Sequence, residues 1–124
     1  MIIGIDIIFL HVKDSVKMSQ WYKEMLELDV SFVTEDLTWT EFGFPGHPPA
    51  TRFAIEHTRG SSSEVEQQPI MVSFRVEDIF KATTQLESKG VEFCGNPKIR
   101  EEGISYFTTF RDPEGNWIQI SQRK

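Results

Sequence analysis

The sequence predicts an α+β fold built from two tandem βαβββ modules, and three observations carry that expectation. First, Ile7-Ile8-Phe9-Leu10-His11-Val12-Lys13-Asp14 reappears as Met71-Val72-Ser73-Phe74-Arg75-Val76-Glu77-Asp78, and a helix-forming segment follows each copy. Second, a polar connector from Arg59 to Pro69, with a Ser61-Ser62-Ser63 run and no apolar pattern, separates the copies. Third, Tyr106 to Ser121 reads YFTTFRDPEGNWIQIS, two runs of β-formers around Asp112-Pro113-Glu114-Gly115-Asn116. Proline fixes φ where a turn needs it, and Gly115 and Asn116 tolerate positive φ, so the pentapeptide reads as a hairpin turn.

Ile5 to Val12 is β-branched and apolar, a strand buried on at least one face. Asp14 and Ser15 offer caps for a helix running to about Leu28, in which Met18, Trp21, Tyr22, Met25 and Leu26 form one apolar stripe. Val30 to Val33 is the next strand. Leu37 to Phe44 follows, with Trp39, Glu41 and Gly43 on one face and Thr38, Thr40, Phe42 and Phe44 on the other. Pro45-Gly46-His47-Pro48-Pro49 reads as a stiffened loop rather than a tight hairpin, and Thr51 to His57 as a fourth strand. In the second copy the helix carries Ile79, Ala82, Thr83 and Leu86 and stops at Gly90, a natural residue to follow a helix end. Val91 to Cys94 mirrors Val30 to Val33, and strands at about Ile104–Arg111 and Trp117–Gln122 complete the module. In the last strand Ile118 and Ile120 suit a helix-covered core, while Trp117, Gln119 and Ser121 face the other way and suit a ligand cavity. Each copy, at roughly 60 residues, is too small to bury a good core alone, so the expectation is one domain over residues 1–124. Its modules span about 1–58 and 70–124, its linker about 59–69, and a concave face lies between the two sheets.

Composition narrows the function. A net charge of −6 with no visible basic run argues against nucleic-acid binding and is compatible with cationic or neutral small ligands. The single cysteine, Cys94, excludes an internal disulfide and fits a reducing compartment. No apolar run approaches the ~20 residues of a membrane span. The start Met1-Ile2-Ile3-Gly4-Ile5 is soon broken by Asp6 and lacks a basic leader, so a cytoplasmic protein with no membrane partner is expected.

These features resemble the vicinal oxygen chelate superfamily, which includes glyoxalase I, extradiol dioxygenases and bleomycin-binding proteins. The residues that carry the likeness are the doubled strand-Asp-helix openings at Asp14 and Asp78, the Trp21-Tyr22 pair, and Asp112-Pro113-Glu114-Gly115-Asn116. The resemblance implies an open, cup-shaped mixed sheet of about eight strands, often in a homodimer. It places metal-ligand positions at Ile7, Glu56, Met71 and Gln119, converging on one point in the cup. Only Glu56 has the side chain that the metal-dependent members use there. Ile7 has no donor, Met71 offers a soft thioether and Gln119 a neutral carbonyl, so no bound metal and no other cofactor are expected. His11 lies roughly 13 Å along the strand from Ile7 and could not ligate at the same centre.

Several polar residues admit two readings. Glu56 is either a partly exposed strand carboxylate or a buried acid that orients a ligand amine or acts as a base. Gln119 either bonds a neighbouring strand or touches ligand. Arg75 pairs with Glu41 or Glu56, or meets an anion. His11 and His47 read as structural, and Cys94 lacks the histidine a nucleophile would need. Trp39 and Trp117 either pack against the sheet or stack on a flat ligand. The expectation is a small-molecule-binding protein with an aromatic or cationic ligand lined by Trp39, Glu41, Glu56, Arg75, Trp117 and Gln119, and with no assigned catalytic residue. The alternatives are a metal-dependent glyoxalase-like lyase or dioxygenase with an atypical ligand set, and a dimeric interaction module.

Overall fold

The computed structural model describes residues 7–48, 51–57 and 70–124, so Ile5, Asp6, Pro49 and the expected linker lie outside the described residues. The chain forms two compact units, Met1–Glu64 and Val65–Lys124, each with one helix on one sheet.

In the first unit the elements run β1 (Ile7–Val12), α1 (Ser15–Met25), β2 (Asp29–Val33), β3 (Trp39–Gly43) and β4 (Arg52–His57). The sheet order is β1-β4-β3-β2, with β1 parallel to β4 and the other pairs antiparallel. Asp14 caps α1, its carboxylate accepting the Lys17 amide at 3.0 Å, which satisfies one of the orphan donors of the first turn. The helix buries Met18 and Tyr22, and the Tyr22 ring packs 5.8 Å from Phe42 and 5.5 Å from Phe53. With Val12 and Ile55, these residues form the core of this unit. The helix ends at Met25, short of the expected Leu28, because Glu27 turns into the left-handed region at φ 57°. The loop between β3 and β4, whose last registered pair is Phe42 and Phe53, opens with a tight turn. The His47 amide donates to the Phe44 carbonyl at 2.9 Å, with Pro45 and Gly46 (φ 76°) at its centre, as a type II turn requires.

The second unit runs β5 (Val72–Arg75), α2 (Ile79–Ser88), β6 (Phe93–Cys94), β7 (Arg100–Glu102), β8 (Ser105–Arg111) and β9 (Trp117–Arg123). The order β5-β9-β8-β6 repeats the first sheet, again with the first and last strands parallel. Strand β7 adds one to the expected eight. It pairs with the Ser105–Phe107 end of β8 while β6 pairs with Thr109 and Phe110. The segment Arg100-Glu101-Glu102 carries no apolar alternation, so nothing in its pattern announced a strand. Asp78 caps α2 by accepting the Phe80 and Lys81 amides, and the Gln122 side chain accepts the Ile79 amide at 2.8 Å. At the other end, Gly90 (φ 95°) donates to the Glu87 carbonyl and Val91 to that of Leu86, the double closure of a Schellman motif. Ile118 and Ile120 are buried facing the helix side, with Phe110, Val72, Ile79 and Leu86, as their alternation predicts.

The Asp112–Asn116 turn joins β8 to β9. Asp112 is only 4% exposed, and its Oδ1 accepts the amides of Glu114 and Asn116, each at 2.9 Å. Its Oδ2 accepts from the Asn116 side chain at 2.8 Å. Positive φ is needed at Gly115 alone (87°); Asn116 serves through its amide instead.

Candidate functional site

Each sheet has a helix-covered face and an open one, and the register fixes which side chains share the open face. In the first unit one open row runs His11–Glu56–Trp39 across β1, β4 and β3. The next runs Phe9–Ala54–Glu41–Phe32, and Ile7 stands opposite Arg52 beyond it. The Phe9 and Trp39 rings meet with centroids 5.1 Å apart. Glu41 is held at both oxygens: Arg52 Nη1 lies 2.8 Å from Oε1, and the Trp39 indole donates to Oε2 at 3.0 Å. Glu56 has no hydrogen bond among the described residues; its nearest charged-type neighbour is His11, Nδ1 to Oε1 at 3.6 Å.

In the second unit the corresponding rows are Arg75–Ser121–Phe107–Arg100 and Ser73–Gln119–Thr109–Cys94. Gln119 bonds a neighbouring strand, donating to the Ser73 hydroxyl at 3.0 Å. Trp117 lies opposite Arg111, whose guanidinium carbon sits 4.1 Å from the ring centroid. Arg75 is exposed and makes no ion pair within its own unit among the described residues, and Glu41, one of its expected partners, is engaged by Arg52 and Trp39.

All six expected binding residues therefore stand on open faces, Trp39, Glu41 and Glu56 in one unit and Arg75, Trp117 and Gln119 in the other. The expected convergence of Ile7 with Glu56 fails. Ile7 is registered on Arg52 and Glu56 on His11, four residues apart along β1 or about 13 Å. Met71 likewise precedes β5, while Gln119 faces Ser73. Since Ser73 and Phe9 hold matching places, the counterpart of Gln119 on β4 is Ala54, and Glu56 matches Ser121. The parallel β1–β4 register brings His11, read as structural, beside Glu56; composition carries no signal for that register. His47 lies exposed in its turn, and Cys94 faces Thr109 on the open side.

A divalent first-row metal of the kind the superfamily can carry wants imidazole, thiolate or carboxylate donors at about 2 Å. Ile7, Ala54, Met71 and Gln119 do not supply them, and no group of three or more His, Cys, Asp or Glu side chains among the described residues could hold an ion. The donor set does not fit the metal.

Two copies of one β-α-β scaffold, each with a capped helix on one face and an open sheet on the other, define the class of protein. The chain belongs to the Glyoxalase/Bleomycin resistance protein/Dioxygenase superfamily, whose model matches residues 4–120. It is 29% identical over 125 residues to the uncharacterized protein YetH of Bacillus subtilis strain 168, covering 98% of this chain and all of that one. Among solved structures it is similar to an integron cassette protein, HFX_CASS4, from the mobile metagenome of the Halifax Harbour sewage outfall. That match has a TM-score of 0.76 and 26% identity, and covers 98% of this chain and 99% of the other. TnmS3, an antibiotic binding protein from Streptomyces sp. CB03234, matches with a TM-score of 0.73 over 99% of this chain and 98% of its own. At 17% identity that likeness shows the fold. Among the described residues, no helix is long and apolar enough to cross a membrane.

Proposed function

We propose that the protein binds a small planar, aromatic or cationic molecule on the open face of its first unit, without a resident metal. One observation carries this reading: the Glu56 carboxylate, free of hydrogen bonds among the described residues, lies beside an open indole. It is registered directly on Trp39, whose ring is braced by Phe9 and whose N–H is fixed by Glu41. A flat cation stacked on Trp39 gains the ring face and the carboxylate together. The antibiotic-binding description of the structurally similar TnmS3 agrees with a binding role on this scaffold.

Tryptophan fluorescence of the full chain, titrated with N-methylquinolinium and with neutral quinoline, tests the reading. Both ligands should quench saturably. Glu56→Gln should weaken the cation about tenfold and quinoline less than about twofold. Equal weakening of the two would remove Glu56 as the charge partner. The metal-dependent lyase or dioxygenase alternative rests on the His11–Glu56 pair. Metal analysis of untagged protein decides it, since one tightly held equivalent per chain would favour that alternative.

A further inference from the structure

The second unit's open face has its own chemistry. Of the six arginines in the chain, Arg75, Arg100, Arg111 and Arg123 all stand on it. Arg75 is registered on Ser121, Ser121 on Phe107, and Phe107 on Arg100. Arg111 faces Trp117, and Arg123 faces Ser105. Glu102 is the one acidic side chain registered on that face among the described strand residues. Four guanidinium groups against one carboxylate is a local excess of positive charge in a chain whose net charge is −6. The paired cations of this unit lie elsewhere: Lys98 is joined to Glu87 and Lys124 to Glu101. Arg75 and Arg123 make no ion pair among the described residues.

The floor between them is polarised the same way. The Gln119 amide donates to the Ser73 hydroxyl at 3.0 Å, and Ser73 donates to Ser121 at 3.1 Å. The hydrogen of Ser121 is then the one left to donate, one strand spacing (about 4.8 Å) from the Arg75 backbone. On the other side of Ser121, Arg100 lies over the Phe107 ring with its guanidinium carbon 5.1 Å from the centroid. A guanidinium on an aromatic face keeps its in-plane N–H donors for an oxyanion.

We propose that this face is an oxyanion-binding site for a small organic carboxylate or phosphate ester, held by the Arg75 guanidinium and the Ser121 hydroxyl, with Arg100 contributing from across Phe107. The site goes beyond the function proposed above, which uses the first unit's face alone.

The test is a titration of the isotope-labelled full chain, followed by NMR at constant ionic strength, with benzoate, phenyl phosphate, inorganic phosphate and chloride. Benzoate or phenyl phosphate should shift the Ser73 and Ser121 amides and the Arg75 side-chain N–H saturably. The stronger of the two names the anion class, and inorganic phosphate matching phenyl phosphate would assign the site to the phosphate group itself. Arg75→Gln should weaken binding about tenfold and Ser121→Ala about threefold. Lys81→Gln, the same charge change on the exposed side of α2, should weaken it less than about 1.5-fold. Arg75→Lys, which keeps the charge without the fork, should fall between wild type and Arg75→Gln. Chloride reproducing the shifts, or Lys81→Gln weakening binding as much as Arg75→Gln, would overturn the site. If N-methylquinolinium binds and no oxyanion does, this inference fails alone. If the oxyanions bind and the quinolines do not, it stands and the reading of the first unit fails.

Discussion

Thr40 and Thr108 stand at the same point of their respective sheets, opposite Ile55 and Ile120, and both are buried on the helix side. In the first unit Ser19 of α1 donates to the Ser15 carbonyl at 2.5 Å, and its oxygen accepts from the Thr40 hydroxyl at 2.9 Å. The matching helical residue in the second, Thr83, likewise turns its hydroxyl back, onto the Ile79 carbonyl at 2.6 Å, yet Thr108 has no partner among the described residues. The helix-facing layers thus differ by small polar adjustments on a shared apolar plan. The open faces differ in kind: Glu56 in one has Ser121 as its counterpart in the other, Phe9 has Ser73, and His11 has Arg75. Close packing under the helix tolerates few substitutions. An open face carries no such constraint, so the duplicated scaffold has kept its core and diverged where a ligand would lie.

The largest difference that mutation should expose is at the turn before the last strand of each unit. The second unit relies on the buried Asp112 carboxylate, which closes its turn through two backbone amides and the Asn116 side chain. Backbone bonds close both turns, Gly115 to Asp112 and Asp112 to Asn116 in the second unit and His47 to Phe44 in the Pro45-Gly46 turn of the first, so the carboxylate is what the second unit adds. Asp112→Ala should cost about 3 kcal/mol in urea unfolding, since it removes a buried carboxylate that accepts three charge-assisted bonds from part-buried donors. Asp112→Asn, which keeps an oxygen for the amides, should cost about half as much. A loss below about 1 kcal/mol for the alanine variant would mean that Pro113 and Gly115 hold the turn without the carboxylate.

The two threonines should respond with opposite signs. Thr40→Val removes a bonded hydroxyl and should destabilise by about 1 kcal/mol. Thr108→Val keeps the shape and deletes an unsatisfied buried oxygen, so it should stabilise by about 1 kcal/mol. Urea midpoints of the two single variants decide the matter, and a destabilising Thr108→Val would show that the hydroxyl has a partner, such as a buried water.

How much of this was legible in the sequence follows from what sets each feature. The caps at Asp14 and Asp78, the glycine closure at Gly90 and the Ile118/Ile120 alternation are local, and all stand where their patterns put them. The extra strand β7 was hidden because a short edge strand of Arg and Glu has no apolar period to show. The placement of Trp39, Glu56, Trp117 and Gln119 on open faces followed from strand parity, which is also local. Which of them meet follows from register, a property of two strands far apart in the chain. Parity puts Ile7 and Glu56 on one face, but the register sets His11 beside Glu56 and brings four arginines onto the open face of the second unit.

The smallest expected effect concerns the two helix ends. Both helices pass into a residue of positive φ two positions past their last helical residue, Glu27 at 57° after α1 and Gly90 at 95° after α2. For glycine that conformation carries no steric penalty, and an added Cβ at Gly90 would meet nothing within 4 Å, so its φ is the reason for glycine there. At Glu27 a side chain is forced into the left-handed region, at a cost of about 1–2 kcal/mol. Glu27→Gly relieves that strain but loosens the unfolded chain by about 0.4–1 kcal/mol and gives up the contacts the glutamate makes. The net should be a stabilisation of about 0.5 kcal/mol, read as a higher urea midpoint at unchanged slope. Slower amide exchange at Leu26, whose N–H closes onto the Tyr22 carbonyl, should accompany it. A lower midpoint would mean that the Glu27 side chain contributes more than its backbone strain costs, and that the first unit closes its helix by a contact which the second has replaced with glycine.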